Sequence, residues 1–97
     1  MKVRYTIDAF LHIAAIQSYI SERNPAAAIR VVARIRSAAE QLGDFPLMGH
    51  EGTAAGTHEW VVTGLPYIIV HEIDAANDEL IVLAVYHGAQ IRPGQET

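Results

Sequence analysis

The chain has 97 residues, 51% of them hydrophobic and 19% charged, with a net charge of −4 and no cysteine. That composition excludes a disordered chain and predicts one small domain over 1–97; the lack of cysteine excludes disulfides and thiolate zinc sites and suits a reducing, cytoplasmic setting. Seven basic residues against eleven acidic ones exclude a general, charge-driven affinity for nucleic acid, although Arg23, Arg30, Arg34 and Arg36 gather in one segment.

The opening stretch MKVRYTIDAF has no apolar core of roughly 7–15 residues, so no signal peptide is expected. The longest nearly apolar run, LIVLAVY, is too short to cross a bilayer, and no membrane partner is expected. Val3 to Thr6 alternates and reads as a short strand. Asp8 is placed to cap a helix over 8–22, in which Ala9, Ile13, Ile16 and Ile20 recur at spacings of three and four, flanked by Phe10 and Tyr19. Asn24 and Pro25 open a second helix over 25–42, with Ala28, Val32, Ile35, Ala39 and Leu42 on its apolar face. Arg30, Arg34, Ser37 and Gln41 form its polar face, and Gly43 is the expected stop. Two helices on so short a link form an antiparallel hairpin.

Residues 43–56, GDFPLMGHEGTAAG, make a long loop whose Phe45 and Leu47 are expected to plug the core. Three strands follow: Glu59 to Thr63, Tyr67 to Ile73 and Leu80 to His87. The turns at Gly64-Leu65-Pro66 and Ala76-Asn77-Asp78 are short enough to demand an antiparallel meander. The expected fold is therefore α+β, in the order β-α-α-β-β-β, with a helical hairpin packed on an antiparallel sheet.

The pieces resemble a known family. Ala9, Ile13, Ile16, Tyr19 and Ile20, then Asn24-Pro25-Ala26-Ala27-Ala28, then LGDFPLMG from Leu42 to Gly49, are similar in order to motifs of the RelE/ParE toxins of type II toxin–antitoxin systems. Gly56-Thr57-His58-Glu59-Trp60, the run from Gly64 to Ile73, and Val85-Tyr86-His87-Gly88-Ala89-Gln90 complete the resemblance, with wording nearer the ParE side. The resemblance implies a toxin held by a cognate antitoxin, which touches DNA only through the antitoxin complex. A ParE-like toxin inhibits DNA gyrase when free. A RelE-like toxin cleaves mRNA on the ribosome, and an inactive homologue is a third reading. No cofactor is implied.

RNA cleavage needs a base, an acid and a cation for the phosphorane charge. His58, His87 and Arg92 are the candidates, because histidine titrates near neutral pH and arginine forks onto phosphate. The plainer alternatives are a strand-edge histidine bonded to the loop, a strand-end histidine closing the core, and a solvated tail residue. Where the family often has arginine or tyrosine, this chain has His58 and His71, and no tyrosine follows Arg92. That departure favours the ParE-like reading. Metal binding by His58, His71 and His87 lacks any ligand spacing, and His71 reads as a satisfied sheet histidine. His12 and His50 carry no signal of their own. Trp60 and Tyr67, either side of the turn, are candidates for antitoxin or target binding, with core packing as the alternative. Arg30 and Arg34 join them as possible partners of an acidic antitoxin segment. An exposed apolar groove is expected to receive that partner.

Overall fold

Thr6 marks the passage from strand to helix in the computed structural model, which describes residues 1–89. The strand β1 (Lys2–Tyr5) ends there and α1 (Ile7–Ser21) begins. Thr6 has extended backbone and its hydroxyl accepts from the Ala9 N–H at 3.1 Å, so Thr6 is the cap and Asp8 lies in the first turn. The expectation of an Asp8 cap is corrected: the cap lies two residues earlier, at Thr6, and the helix starts at Ile7. The helix α2 (Pro25–Asp44) opens as expected, with the Asn24 side chain accepting from the Ala27 N–H and Pro25 in the first turn.

Gly43 does not stop α2; the helix runs through it to Asp44. The glycine answers a packing need instead, because a Cβ there would lie 2.7 Å from the Met1 carbonyl oxygen. The chain then forms β2 (His50–Glu51), β3 (His58–Val61), β4 (Tyr67–Asp74) and β5 (Glu79–His87). The strand order is β1-β5-β4-β3-β2. The meander β3-β4-β5 is antiparallel, as its short turns require. The strand β1 pairs in parallel with β5, so the sheet as a whole is mixed. A parallel partner needs a long crossover, and the helical hairpin begins that return. The short β2 adds a fifth strand inside the segment read as loop.

The α+β class and the helical hairpin on a sheet stand as expected. The core joins Ala9 and Ile13 of α1 with Ile35, Ala38, Ala39 and Leu42 of α2 and with Val62, Ile69, Leu80, Val82 and Val85 from the sheet side. Val82 and Val85 are three residues apart, which a regular strand would point to opposite faces. A register shift resolves this: Val70 pairs with Ala84 but His71 with Val82, so Leu83 is the extra residue of a bulge. Its carbonyl accepts from the Thr6 hydroxyl at 3.0 Å. Phe45 and Leu47 do not plug the core; they are 62% and 81% exposed, and Met48 packs against the core in their place.

Candidate functional site

The sheet register decides which candidate residues meet. His58 on β3 lies opposite His71 on β4, with ring centroids 5.7 Å apart. His87 at the end of β5 lies opposite Tyr67, whose ring it meets edge-on at 5.6 Å. Tyr67 and His71 are four residues apart on β4, so His58 and His87 are separated by about 13 Å along the strand direction alone. The two histidines therefore do not share one reacting centre. Arg92 lies outside the described residues. His71 is not the satisfied histidine expected: it is fully buried, with no hydrogen-bond partner for either ring nitrogen among the described residues. Among those residues, no three His, Asp or Glu side chains are placed to hold a metal ion.

His87 opens onto a cleft of about 470 Å³ between α1 and the end of β5, lined by His12, Ile16, Tyr19, Tyr67 and Tyr86 among others. His12, Ile16 and Tyr19 reach it from one face of α1, at spacings of four and three. The His12 Nδ1 accepts from the Val85 N–H at 3.2 Å, where β1 has already left the edge of β5. His12 thus satisfies a backbone donor that would otherwise face the cleft. The His87 Nδ1 accepts from the Ala89 N–H at 3.0 Å, which leaves Nε2 to carry the proton of the neutral ring. Burial, with a further push from Tyr19, raises the Tyr67 phenol above its ordinary pKa. Among the described residues the lining is largely aromatic and carries no lysine or arginine. Such a surface suits apolar or aromatic groups of a partner.

A second groove, of about 630 Å³, lies over α2 and the β3–β4 turn. Ala27, Val31 and Leu65 supply apolar surface, with Arg30 and Arg34 beside it. The Arg34 guanidinium donates to the Thr63 carbonyl, which ties the helix to the turn. Trp60 reaches the adjoining cleft beside Arg34 and Gln41. Arg30, Arg34 and Trp60 thus share one side of the molecule, while Tyr67 faces the other cleft. Trp60 is half-buried and Tyr67 buried, so they are not an exposed aromatic pair. Sequence reasoning passed over His12 because its partner Val85 is 73 residues away. Its helical spacing with Ile16 and Tyr19 was the only local signal.

These grooves sit on the fold of the RelE/ParE toxins. The chain superposes with a TM-score of 0.81 on a chain from the chromosomal ParDE toxin–antitoxin system of P. aeruginosa, at 17% identity, covering 90% of this chain and 95% of that one. A chain from the RelBE2 toxin–antitoxin complex of Mycobacterium tuberculosis gives 0.64 at 22% identity, with 89% and 95% covered. A family model described as the ParE toxin of the parDE type II toxin–antitoxin system matches residues 3–92, and the chain belongs to that family. It is 36% identical to a Sinorhizobium fredii protein named "Putative toxin Y4kP", over 95% of this chain and 93% of that protein. It is 30% identical to Toxin RelE2 of Caulobacter vibrioides, over 93% and 98%. Among the described residues, no helix is long and apolar enough to cross a membrane.

Proposed function

We propose that this chain is a ParE-like toxin that acts by binding: free, it inhibits DNA gyrase, and a cognate antitoxin neutralises it. The observation that carries this reading is the register of the sheet. It separates His58 from His87, so the acid and base of a two-histidine nuclease do not converge. Two grooves of different chemistry remain, and both suit protein surfaces. The α2 groove, with Arg30 and Arg34 beside an apolar floor, matches an antitoxin segment carrying apolar residues and carboxylates. The aromatic cleft at Tyr67 and His87 is the seat for the target. Contact with DNA comes only through the antitoxin complex, in the cytoplasm.

A supercoiling assay tests this directly. The purified toxin is expected to trap cleaved DNA on gyrase and to leave a translation extract active, and added antitoxin to reverse the trapping. Cleaved mRNA in the extract with gyrase unaffected would replace this reading with the ribosome-dependent nuclease. In that case His87→Ala should abolish the cut. Inactivity in both assays would point to a homologue that has lost its toxicity.

A further inference from the structure

The sheet buries two titratable side chains that neither groove uses, Glu59 and His71. His71 is 0% exposed, and both ring nitrogens lack a hydrogen-bond partner among the described residues. An unsatisfied imidazole is costly to bury when neutral and far more so when charged. From β3, His58 lies against the ring. From the segment before β2, Gly49 closes down so tightly that a Cβ would stand 3.0 Å from the His71 Cε1 and 2.9 Å from the Glu59 carbonyl oxygen. That segment is anchored by the two-residue strand β2 at the sheet edge.

The surroundings offer a proton on His71 little compensation. Val82, its partner on β5, is apolar. The titratable groups that bear on the ring are His58 from β3 and His50 from β2, and both oppose a positive charge there. The Glu59 carboxylate accepts from the Thr53 N–H, and Glu59 alternates away from the face that His58 presents to His71. Burial first, and then these two histidines, hold the His71 pKa below its ordinary value. The Ile69 backbone opposes part of that shift without making a hydrogen bond of acceptable geometry.

We propose that His71 is the latch of an acid-sensitive arm: a proton on His71 releases Gly49, β2 and β3 from β4 while the β4–β5–β1 sheet stays closed. The sign follows from linkage. The open arm binds more protons than the closed one, so closure is fully favoured above about pH 6.5 and weakens as pH falls below it. The arm is the part suited to open first: four register pairs join β3 to β4 against eight between β4 and β5, and only a two-residue edge strand and an irregular loop lie beyond β3. Trp60, on β3, travels with it, so acid conditions remodel the side of the molecule that carries Arg34. The latch operates whether or not that side seats an antitoxin.

Amide exchange on the full chain provides the test. Protection factors of β3 amides are expected to fall between pH 7.5 and 5.5 by up to about tenfold, the linkage limit for one proton on a group that titrates near 6.5 when open. Those of β5 should stay level. Trp60, the only tryptophan, should shift its emission to the red over the same range. In His71→Leu both pH effects should disappear. If that variant does not fold, His71→Gln and the imidazole C2-proton titration of the wild type replace it. Unchanged β3 protection at pH 5.5, persistence of the loss in either variant, or titration of His71 at its ordinary value in the closed arm would each overturn the latch.

Discussion

Gly43, inside α2, lies against Val3 of β1 so closely that a Cβ on the glycine would stand 2.8 Å from the Val3 Cγ2. The Met1 carbonyl oxygen would be nearer still, at 2.7 Å, and the Met1 nitrogen donates to the Gly43 carbonyl at 2.7 Å. In an open helix, Gly→Ala stabilises by about 0.8–1 kcal/mol. Here the added methyl meets backbone, which cannot swing aside. Overpacking of about 1–3 kcal/mol should outweigh the helical gain. Gly43→Ala is expected to lower the urea midpoint without changing the slope of unfolding. A raised midpoint would show that β1 is free to shift.

Thr6 joins three elements through one hydroxyl, accepting from Ala9 of α1 and donating to Leu83 at the β5 bulge. Thr6→Val keeps the shape and removes both bonds. A loss of about 1–2 kcal/mol is expected, the upper range for a helix cap. Asp8→Ala, which removes only a first-turn charge, should cost about 0.3–1 kcal/mol. Chemical denaturation of the two variants side by side checks the ranking.

At the β4–β5 turn, Asp74 accepts from the Asn77 backbone and side chain, the latter at 2.8 Å. Its pKa is lowered, by the side-chain bond first and then by the backbone bond. A lowered carboxylate pKa stabilises the fold above the ordinary value of 3.8, and that stability is lost as pH falls through the folded value. In the same turn, Asp78 holds a left-handed φ of +53°. Asn77→Ala should raise the Asp74 pKa, read by the carboxyl carbon resonance, and leave the pH response of β3 untouched. An unmoved Asp74 titration would remove Asn77 from that role.

If the α2 groove seats the antitoxin, Arg30 and Arg34 set its affinity. Replacing either by alanine should weaken binding about tenfold, or about 1.4 kcal/mol, with the larger loss at Arg34, which also braces Thr63. Added salt should narrow the difference from wild type. Arg23→Ala, outside the groove, is the control. Calorimetry with the purified antitoxin reads all three, and equal affinities would move the interface elsewhere on the toxin.

The chain's local chemistry carried much of this architecture. The three- and four-residue spacing of Ala9, Ile13 and Ile16, and of Ala28, Val32, Ile35, Ala39 and Leu42, marked both helices and most of their buried faces. Asn24-Pro25 and the two short turns set the hairpin and the meander, because each acts over a few residues of backbone. Thr6 and Gly43 escaped that reading because their roles depend on Leu83, Met1 and Val3, which the fold brings in from elsewhere. The site depended on the fold still more. Strand side chains alternate with period two, so a shift of one residue redirects a whole strand. No local pattern announces the bulge at Leu83 or the opposition of His58 to His71. Sequence by itself determined both helices, four of the five strands and the family they resemble. Only tertiary packing decided that His58 meets the buried His71 while His87 meets Tyr67, because sheet register is settled by the core that all the elements share.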